Sequence, residues 1–514
     1  MFALKIIRVL QLGTKNYSEF MKVSDCAQWY YEPDLSTLSK QDFDIAILDR
    51  EVTEDEFDYL IQFLRAYTLF ITRNVPMEEN SLTRQLMIRK KGQQVSPEEL
   101  GALLSDGLPD YFPDSYGEKY QPHNLAVAQE FRGKVFWRGF ECVELDGDFG
   151  EDLTQVLFWR NNLPINAGQA IEFWLEYSKD PGIEVSLEIK VFYFQYGTIP
   201  ASIKTWSFSE KELENVVYIE NKEEKSGHIF TALNAKGNGS LTVTALHDRH
   251  SRRGKGAFLP GGERRVASNR EEIFCYFDPG NLKPPLNVYF SGYKTREGFE
   301  GYYMLKRIGH PFLLITDTRL EGGAFYMGSE EYENILEQTI RDHMEELGFH
   351  RSEVILSGIS GGAFGALYYG CRIQPHTILI GKPLANIGDV AANERLNRPG
   401  VFPASLDMLH KFCGSLDRNA VERLNAHFWD AFDRVKWSST QFAVAYMIED
   451  DYDSKAYGML QSHLKGSNVR IFGKGLHGRH NDDTDGIVSW FAKQYSKIVQ
   501  NSFGNEQSET GGRG

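Results

Sequence analysis

Short apolar runs and one amphipathic stretch alternate over the first 125 or so of the chain's 514 residues. The runs IIRVLQL and FDIAILD are typical of buried strands, whereas TEDEFDYLIQFLRAY repeats its apolar positions at the spacing of a helix. A strand, a helix and a further strand in this order indicate a β-α-β unit. The pattern therefore predicts a small α/β, Rossmann-like domain over residues 1–125.

The pattern changes in residues 126–280, where short runs such as QAIEFWLEYS and EVSLEIKVFYFQYG follow one another between turn residues. Several runs alternate apolar and polar positions, which is typical of half-buried antiparallel strands. We predict a β-sandwich here, similar to those of carbohydrate-binding modules. Its tryptophans Trp159, Trp174 and Trp206 are either core residues or platforms on which sugars stack.

A third pattern covers residues 281–500, where apolar strands such as PPLNVYF, SEVILSG and QFAVAYM alternate with helical stretches. EEYENILEQTIRDHMEELGF, for example, has apolar residues along one helix face. Such alternation predicts a parallel sheet covered by helices on both faces. Overall the fold class is α/β, and the polar, glycine-rich residues 501–514 are predicted to be a disordered tail.

Charge and cysteine content bear on the partners and the cellular compartment of the protein. The 56 basic and 71 acidic residues leave a net charge of −15, which argues against nucleic acid as the main partner. Five scattered cysteines without a C-x-x-C motif fit reduced thiols better than a disulfide framework or a zinc site. No apolar run reaches 18 residues and no signal peptide is evident, so we expect a cytoplasmic protein without a transmembrane helix.

One glycine-rich loop is basic although the chain is acidic. Residues 249–270, RHSRRGKGAFLPGGERRVASNR, contain seven lysines and arginines. A loop of this composition is either simply solvated or a site for a phosphate or an acidic partner.

Gly358-Ile359-Ser360-Gly361-Gly362 fits the G-x-S-x-G pattern of a serine nucleophile. The pattern alone is weak, but here an apolar strand precedes it and a helical stretch follows it, as a nucleophile elbow requires. The backbone N–H of Gly361 would then begin the helix and form half of an oxyanion hole. The loop after PPLNVYF offers the second donor, at Gly292 or Tyr293.

A serine nucleophile needs a histidine base and an orienting carboxylate, which in the α/β-hydrolase order both follow the serine. Two later strands end in suitable residues, one in IEDDYD and the other in GLHGRHND. A metal site built from the two histidines with Asp482 and Asp483 is the alternative, but it lacks a defined ligand motif, and we predict no metal. The candidates are His477 and His480 for the base, and Glu449, Asp450, Asp451 and Asp453 for the acid.

Five segments together resemble a known family. They are HSRRGKGAFLPGGERR, PPLNVYFSGYKTREGFEGYYM, LSGISGGAFGALYYG, YMIEDDYD and GLHGRHND. The family is the second of the three accessory Sec system proteins of Gram-positive bacteria. The resemblance implies an α/β-hydrolase-like C-terminal domain in which Ser360 is the nucleophile, His480 rather than His477 the base, and Asp450 the most fitting acid.

The resemblance also implies a function. Family members are associated with O-acetylation of N-acetylglucosamine on serine-rich repeat adhesins and with export of those glycoproteins. The implied partners are two sister accessory proteins, the accessory Sec motor ATPase and the glycosylated adhesin, at the inner face of the membrane. We predict acetyl-CoA as the acyl donor, with the basic loop as a contact for its phosphates. The alternatives are a carbohydrate esterase and a non-catalytic scaffold.

Overall fold

A computed structural model describes residues 6–36, 42–180, 184–197, 204–319 and 322–504. Strands within these ranges form a five-stranded, a ten-stranded and an eight-stranded sheet. Most of the predicted tail, residues 505–514, lies outside the described residues. Its first residues are not a tail, because the last helix continues to Phe503.

The N-terminal sheet is parallel, with the strand order β2-β1-β3-β4-β5. Ile7 and Val9 of β1 pack into one apolar cluster and Leu10 and Leu12 into another, so both faces of the sheet are covered. This arrangement matches the predicted α/β unit. Its elements are β1 (Ile7–Leu12), β2 (Ala27–Tyr31), β3 (Ile45–Leu48), α1 (Glu54–Phe63), β4 (Leu69–Thr72), α2 (Leu82–Arg89), β5 (Gln93–Val95) and α3 (Pro97–Ala102).

The middle sheet is antiparallel and is organised around the long strand β15, which pairs with β12 through its first half and with β11 through its second. Its strands are β6 (Gly117–Tyr120), β7 (Leu125–Val127), β8 (Lys134–Arg138), β9 (Cys142–Trp159), β10 (Leu163–Ile165), β11 (Ala170–Lys179), β12 (Val185–Gln195), β13 (Lys204–Ser209), β14 (Val217–Glu220) and β15 (Gly227–His250).

Hydrogen bonds connect all ten strands through β15 and β9, and the β-sandwich stays a prediction. Gly237 and Gly239 of β15 have φ values of 103° and 143°, and the pairing with β9 shifts register around them. β11 and β12, on the two halves of β15, contribute to the same apolar core. Trp159 and Trp174 are buried, which supports the core interpretation for both, whereas Trp206 is half-buried.

The C-terminal sheet has the order β16-β17-β19-β18-β20-β21-β22-β23, and it is parallel from β19 to β23. Its strands are β16 (Glu263–Val266), β17 (Glu272–Asp278), β18 (Leu286–Phe290), β19 (Phe312–Asp317), β20 (Val354–Ile359), β21 (Thr377–Gly381), β22 (Gln441–Met447) and β23 (Arg470–Leu476). The accompanying helices are α4 (Tyr302–Ile308), α5 (Glu330–Leu347), α6 (Gly361–Ile373), α7 (Ile387–Leu396), α8 (Ser405–Cys413), α9 (Arg418–Arg434), α10 (Ala456–His463) and α11 (Thr484–Phe503).

Two strands leave the region predicted for the sandwich, since β16 and β17 pair with β19 as an antiparallel edge of the C-terminal sheet. Every residue of β17 is buried, which is typical of a strand covered on both faces. At the other end, β6 lies in the predicted N-terminal domain but pairs with β15. The division into three domains stays a prediction, with strands exchanged at both boundaries.

The parallel strands β18, β20, β22 and β23 all point their carboxyl ends to one edge of the C-terminal sheet. Helices α7, α8 and α9 form an insertion between β21 and β22 near that edge. Among the described residues, no helix combines the length and apolar character required to cross a membrane.

Candidate active site

Ser360 occupies the sharp turn between β20 and α6, with φ of 57° and ψ of −121°. A non-glycine residue with positive φ is strained, and such strain is typical of nucleophile elbows. The neighbouring glycines are required by close packing. A Cβ on Gly358 would lie 2.3 Å from the carbonyl oxygen of Gly362, and a Cβ on Gly362 would lie 2.1 Å from that of Phe290.

Ser360, His480 and Asp450 form a continuous hydrogen-bonded chain. Ser360 Oγ lies 2.9 Å from His480 Nε2, and His480 Nδ1 lies 2.9 Å from Asp450 Oδ2. The histidine side chain is almost fully buried and the serine is half-buried. This is the geometry in which a buried carboxylate orients an imidazole that accepts a proton from a serine hydroxyl.

The Asp450 carboxylate is held from both sides. Its Oδ1 accepts the backbone N–H groups of Tyr452 at 2.8 Å and Asp453 at 3.1 Å. Burial acts to raise the pKa of Asp450, but the hydrogen bond and charge of His480 and these two N–H groups outweigh it, and the pKa falls below its ordinary value. The carboxylate is therefore ionised at neutral pH.

The alternative base and one alternative acid pair with each other at the surface. Glu449 Oε1 lies 3.1 Å from His477 Nδ1, and Glu449 Oε2 accepts the N–H of Gly478 at 2.7 Å. The His477 side chain is 85% exposed. The structure thus brings His480, and not His477, to Ser360.

The other two carboxylates brace the surrounding loops. Asp451 accepts the backbone N–H of His480 at 3.0 Å and forms an ion pair with Arg398. Asp453 is buried and accepts both the backbone N–H of Asn386, at 2.7 Å, and its side-chain amide, at 2.9 Å. Each therefore fixes a loop that borders the site without contacting the imidazole nitrogens.

Tyr452 and Arg398 are site residues that the sequence analysis missed. The Tyr452 ring stacks on the His480 ring, with centroids 4.1 Å apart and planes 11° apart. The Arg398 guanidinium lies 4.1 Å from the Tyr452 ring centroid. Tyr452 lies inside the acidic cluster and could have been singled out there, whereas nothing around Arg398 in the sequence marks it.

The oxyanion hole differs from the prediction at one position. Gly361 is the first residue of α6, so its N–H has no acceptor within the helix. Gly361 also lies next to Tyr293, because a Cβ at Gly361 would be 3.7 Å from the backbone nitrogen of Tyr293. Gly292 is excluded as the second donor because its N–H already donates to Glu300 Oε2, at 2.8 Å. Gly361 and Tyr293 remain as the candidate donors, and Glu300 was not foreseen.

Aromatic side chains enclose this side of the site. Phe402, from the segment between α7 and α8, is buried with its ring 5.7 Å from that of Tyr293, 5.2 Å from Phe325 and 5.3 Å from Tyr452. A cavity next to these rings is lined by the loop of Tyr293, by Phe325 and by Gly361. Phe402 thus packs the segment between α7 and α8 against the loop of Tyr293 and against Tyr452.

Most of the basic loop is used inside the protein. Arg249 forms ion pairs with buried carboxylates, and Arg252 is buried, donating to the carbonyl oxygens of Tyr111 and Phe258 at 2.6 Å each. Arg265 pairs with Asp342. These guanidinium groups hold segments of the chain together. Because they already bind groups of the protein itself, the loop loses support as a phosphate site.

The alternative metal ligands do not converge. Asp482 pairs with Arg479, and Asp483 accepts the N–H of Gly486 at the start of α11, while His477 binds Glu449. Their side chains therefore serve separate local contacts.

Comparisons with known proteins place this chain in a family. Residues 7–505 match the family described as the accessory Sec system GspB-transporter. The chain belongs to this family. It is 36% identical to the second accessory Sec system protein of Streptococcus gordonii over 513 residues, which cover 98% of the chain and 99% of that relative. It is 41% identical to the Staphylococcus aureus (strain NCTC 8325 / PS 47) protein over 396 residues, or 77% of the chain and 75% of the relative.

A solved structure is similar to this chain over most of its length. The structure titled Glycosylation Associate Protein (Gap123) complex from Streptococcus agalactiae contains a chain that is 34% identical, with a TM-score of 0.86. The match covers 98% of this chain and 100% of that one. The resemblance drawn from the five sequence segments is confirmed, and with it the role in the accessory Sec system.

Proposed function

We propose that the protein transfers an acetyl group to a hydroxyl of N-acetylglucosamine on serine-rich repeat adhesins and supports their export. The observation that carries this proposal is the hydrogen-bonded chain of Ser360, His480 and Asp450 at a strained strand-to-helix turn. A hydroxyl in this setting is suited to acyl transfer through a covalent intermediate.

In the first half-reaction the Ser360 Oγ attacks the carbonyl carbon of an acetyl thioester, and its proton passes to His480 Nε2. The N–H groups of Gly361 and Tyr293 bind the oxyanion of the tetrahedral intermediate. The intermediate collapses as the carbon–sulfur bond breaks, and the leaving thiolate takes the proton from His480. Asp450 remains ionised and holds the imidazolium. Acetyl-CoA is our proposed donor.

In the second half-reaction the sugar hydroxyl loses its proton to His480 and attacks the acetyl-Ser360 ester. The second tetrahedral intermediate breaks the bond to Ser360 Oγ, which recovers the proton. Water can replace the sugar, and the outcome is then an esterase. We propose that the aromatic rings around Phe402 favour the transferase by limiting the access of water.

One similar structure supports a proposal about partners. It is that of the Glycosylation Associate Protein (Gap123) complex from S. agalactiae, and we propose that this chain likewise binds two sister accessory proteins. We further propose a cytoplasmic location, with contact to the accessory Sec motor ATPase and the adhesin at the inner face of the membrane. In this arrangement the middle sheet serves as a carbohydrate-binding-like domain.

The decisive experiment replaces Ser360 with alanine in the producing cell and measures adhesin export and glycan acetylation separately. Lost acetylation with normal export supports an enzyme that has a separable export role. Unchanged acetylation contradicts the proposed chemistry and leaves a scaffold. With purified protein, a small acetyl ester supplied with and without N-acetylglucosamine separates a transferase from an esterase.

A further inference from the structure

The loop that carries Tyr293 runs from Ser291 to Gly301, between β18 and α4, and is called the oxyanion loop below. No helix or strand includes it. Gly298 and Gly301 have φ values of 144° and 82°, and its own polar contacts include those from Gly292 to Glu300 and from Glu300 to Ser291. Residues outside the loop hold it as well.

The middle sheet holds the loop at Glu297, four positions after Tyr293 in the sequence. Glu297 is buried, with Oε1 2.5 Å from His247 Nδ1 and Oε2 accepting Arg249 Nε at 2.5 Å. Its backbone exchanges two hydrogen bonds with Gly117 of β6, at 2.8 and 3.2 Å. Side chain and backbone thus tie the same residue to the middle sheet.

A second layer fixes the two residues that hold Glu297. His247 Nε2 lies 3.0 Å from Glu176 Oε1, and Arg249 donates to both oxygens of Glu272, at 2.9 and 2.5 Å. All five side chains are buried. They come from β11, β15, β17 and the oxyanion loop, so the network spans the junction of the two sheets.

With Arg264 included, the network has three carboxylates and three cations. Burial acts to lower the pKa of His247, but Glu297 and Glu176 outweigh it and raise the pKa to about 9, so both ring nitrogens carry protons at neutral pH. Arg249 and Arg264 both pair with Glu272. Glu176, His247 and Glu272 lie close enough to share a metal ion, but these cations already supply the positive charge that an ion would bring.

We infer that Glu297 is a positioning residue that acts through Tyr293, and that His247 and Arg249 of the middle sheet thereby preorganise the oxyanion hole of the C-terminal sheet. This inference rests on the proposed function. It makes the middle sheet part of the acyl-transfer machinery in addition to any binding role. Such a network resists rearrangement, because loss of one partner leaves the others as uncompensated buried charges.

Glu297→Gln tests the inference in the full-length protein. The matched control is Glu118→Gln, which removes the half-exposed ion pair of Glu118 with Arg296, another residue of the oxyanion loop. A nitrophenyl acetate serves as the acetyl donor, and initial rates give kcat and KM. We expect Glu297→Gln to lower kcat by about 10- to 100-fold with KM little changed, since an oxyanion donor acts in the transition state. Glu118→Gln is expected to keep the wild-type kcat.

A second variant covers a failure to fold. His247→Gln keeps a polar side chain but removes the positive charge beside Glu297, and it decides the matter if circular dichroism shows that Glu297→Gln is unfolded. A folded variant with wild-type kcat, or an equal loss of kcat in Glu118→Gln, overturns the inference. Ser360→Ala is run alongside. If Ser360→Ala is inactive while Glu297→Gln keeps the wild-type kcat, this inference alone is overturned. If Ser360→Ala keeps its activity, the proposed function and this inference are overturned together.

Discussion

His480 Nδ1 lies 2.9 Å from Asp450 Oδ2, and the two residues are only 1% and 7% exposed. The pair is therefore sheltered from water, so the carboxylate can fix the imidazole tautomer with its other nitrogen toward Ser360. We expect Asp450→Asn to lower kcat for acetyl transfer by about 10⁴-fold with little change in KM, because the amide favours the wrong tautomer. Steady-state kinetics with an acetyl ester measure this.

The neighbouring carboxylates serve as controls for Asp450. Glu449 contacts the exposed His477 and the N–H of Gly478, away from the Ser360–His480 pair, so Glu449→Gln is expected to keep kcat within about twofold. Asp453 accepts the N–H of Asn386, so Asp453→Asn is expected to lower the melting temperature while kcat changes little. A larger loss of kcat in either variant than in Asp450→Asn would contradict the assignment of the acid.

The ring of Phe402 packs against Tyr293, Phe325 and Tyr452 beside the site. We expect Phe402→Leu to remove these ring contacts and to raise hydrolysis relative to transfer by a few-fold. The measurement is the ratio of acetylated N-acetylglucosamine to free acetate at fixed acceptor concentration. Leu396→Ala, at an exposed position of the same insertion, is the control and should leave the ratio unchanged.

His247 gives the fold a pH dependence at the junction of the sheets. The groups that face it are Glu176 and Glu297, with Arg249 and Glu272 behind them. Because its folded pKa of about 9 lies above the ordinary 6.5, its stabilisation is complete below pH 6.5 and is lost as pH rises through 9. Urea unfolding should show a loss on the order of 1–3 kcal/mol across this range.

The same titration in His247→Gln provides the comparison. This variant has no titrating group at the position, so its free energy of unfolding should fall less between pH 7 and pH 10 than that of the wild type. Parallel curves for the two proteins would show that His247 does not carry the pH dependence.

Arg252 links the basic loop to Tyr111 and Phe258 through their carbonyl oxygens. We expect Arg252→Met to lower the free energy of unfolding by about 2–4 kcal/mol, because buried carbonyl groups lose their charged donor. Arg253→Gln removes only partly exposed ion pairs and should cost less than about 1 kcal/mol. Chemical denaturation compares the two, and equal losses would argue against a buried structural role for Arg252.

The nucleophile elbow and the edge of the sheet were predictable because their signals are local. An apolar run, G-x-S-x-G and a helical stretch determine where Ser360 lies, and parallel strands bring their carboxyl ends to one edge. The choice of acid was not predictable from spacing, since four carboxylates fall within residues 449–453. Which of them meets the imidazole depends on the turn in which Asp450 accepts two N–H groups.

Long-range contacts escaped the sequence for a different reason. Glu297 meets His247 across 50 positions of sequence, and no local pattern distinguishes either residue from a solvated surface group. Likewise, the pattern of the middle region shows alternation but not the register shifts of β15 against β9 around Gly237 and Gly239. Strand β17 pairs antiparallel with β19, which begins 34 positions after the end of β17, and the local pattern of β17 does not reveal this partner.

The central claim is that Ser360 carries the acetyl group between donor and sugar. Its most direct test is rapid-quench mass spectrometry of the full-length protein mixed with a nitrophenyl acetate in the absence of acceptor. We expect one acetyl group on the peptide that contains Ser360, released faster when N-acetylglucosamine is added, and none in Ser360→Ala. Acetylation of a different residue, or of none while the product still forms, would contradict it.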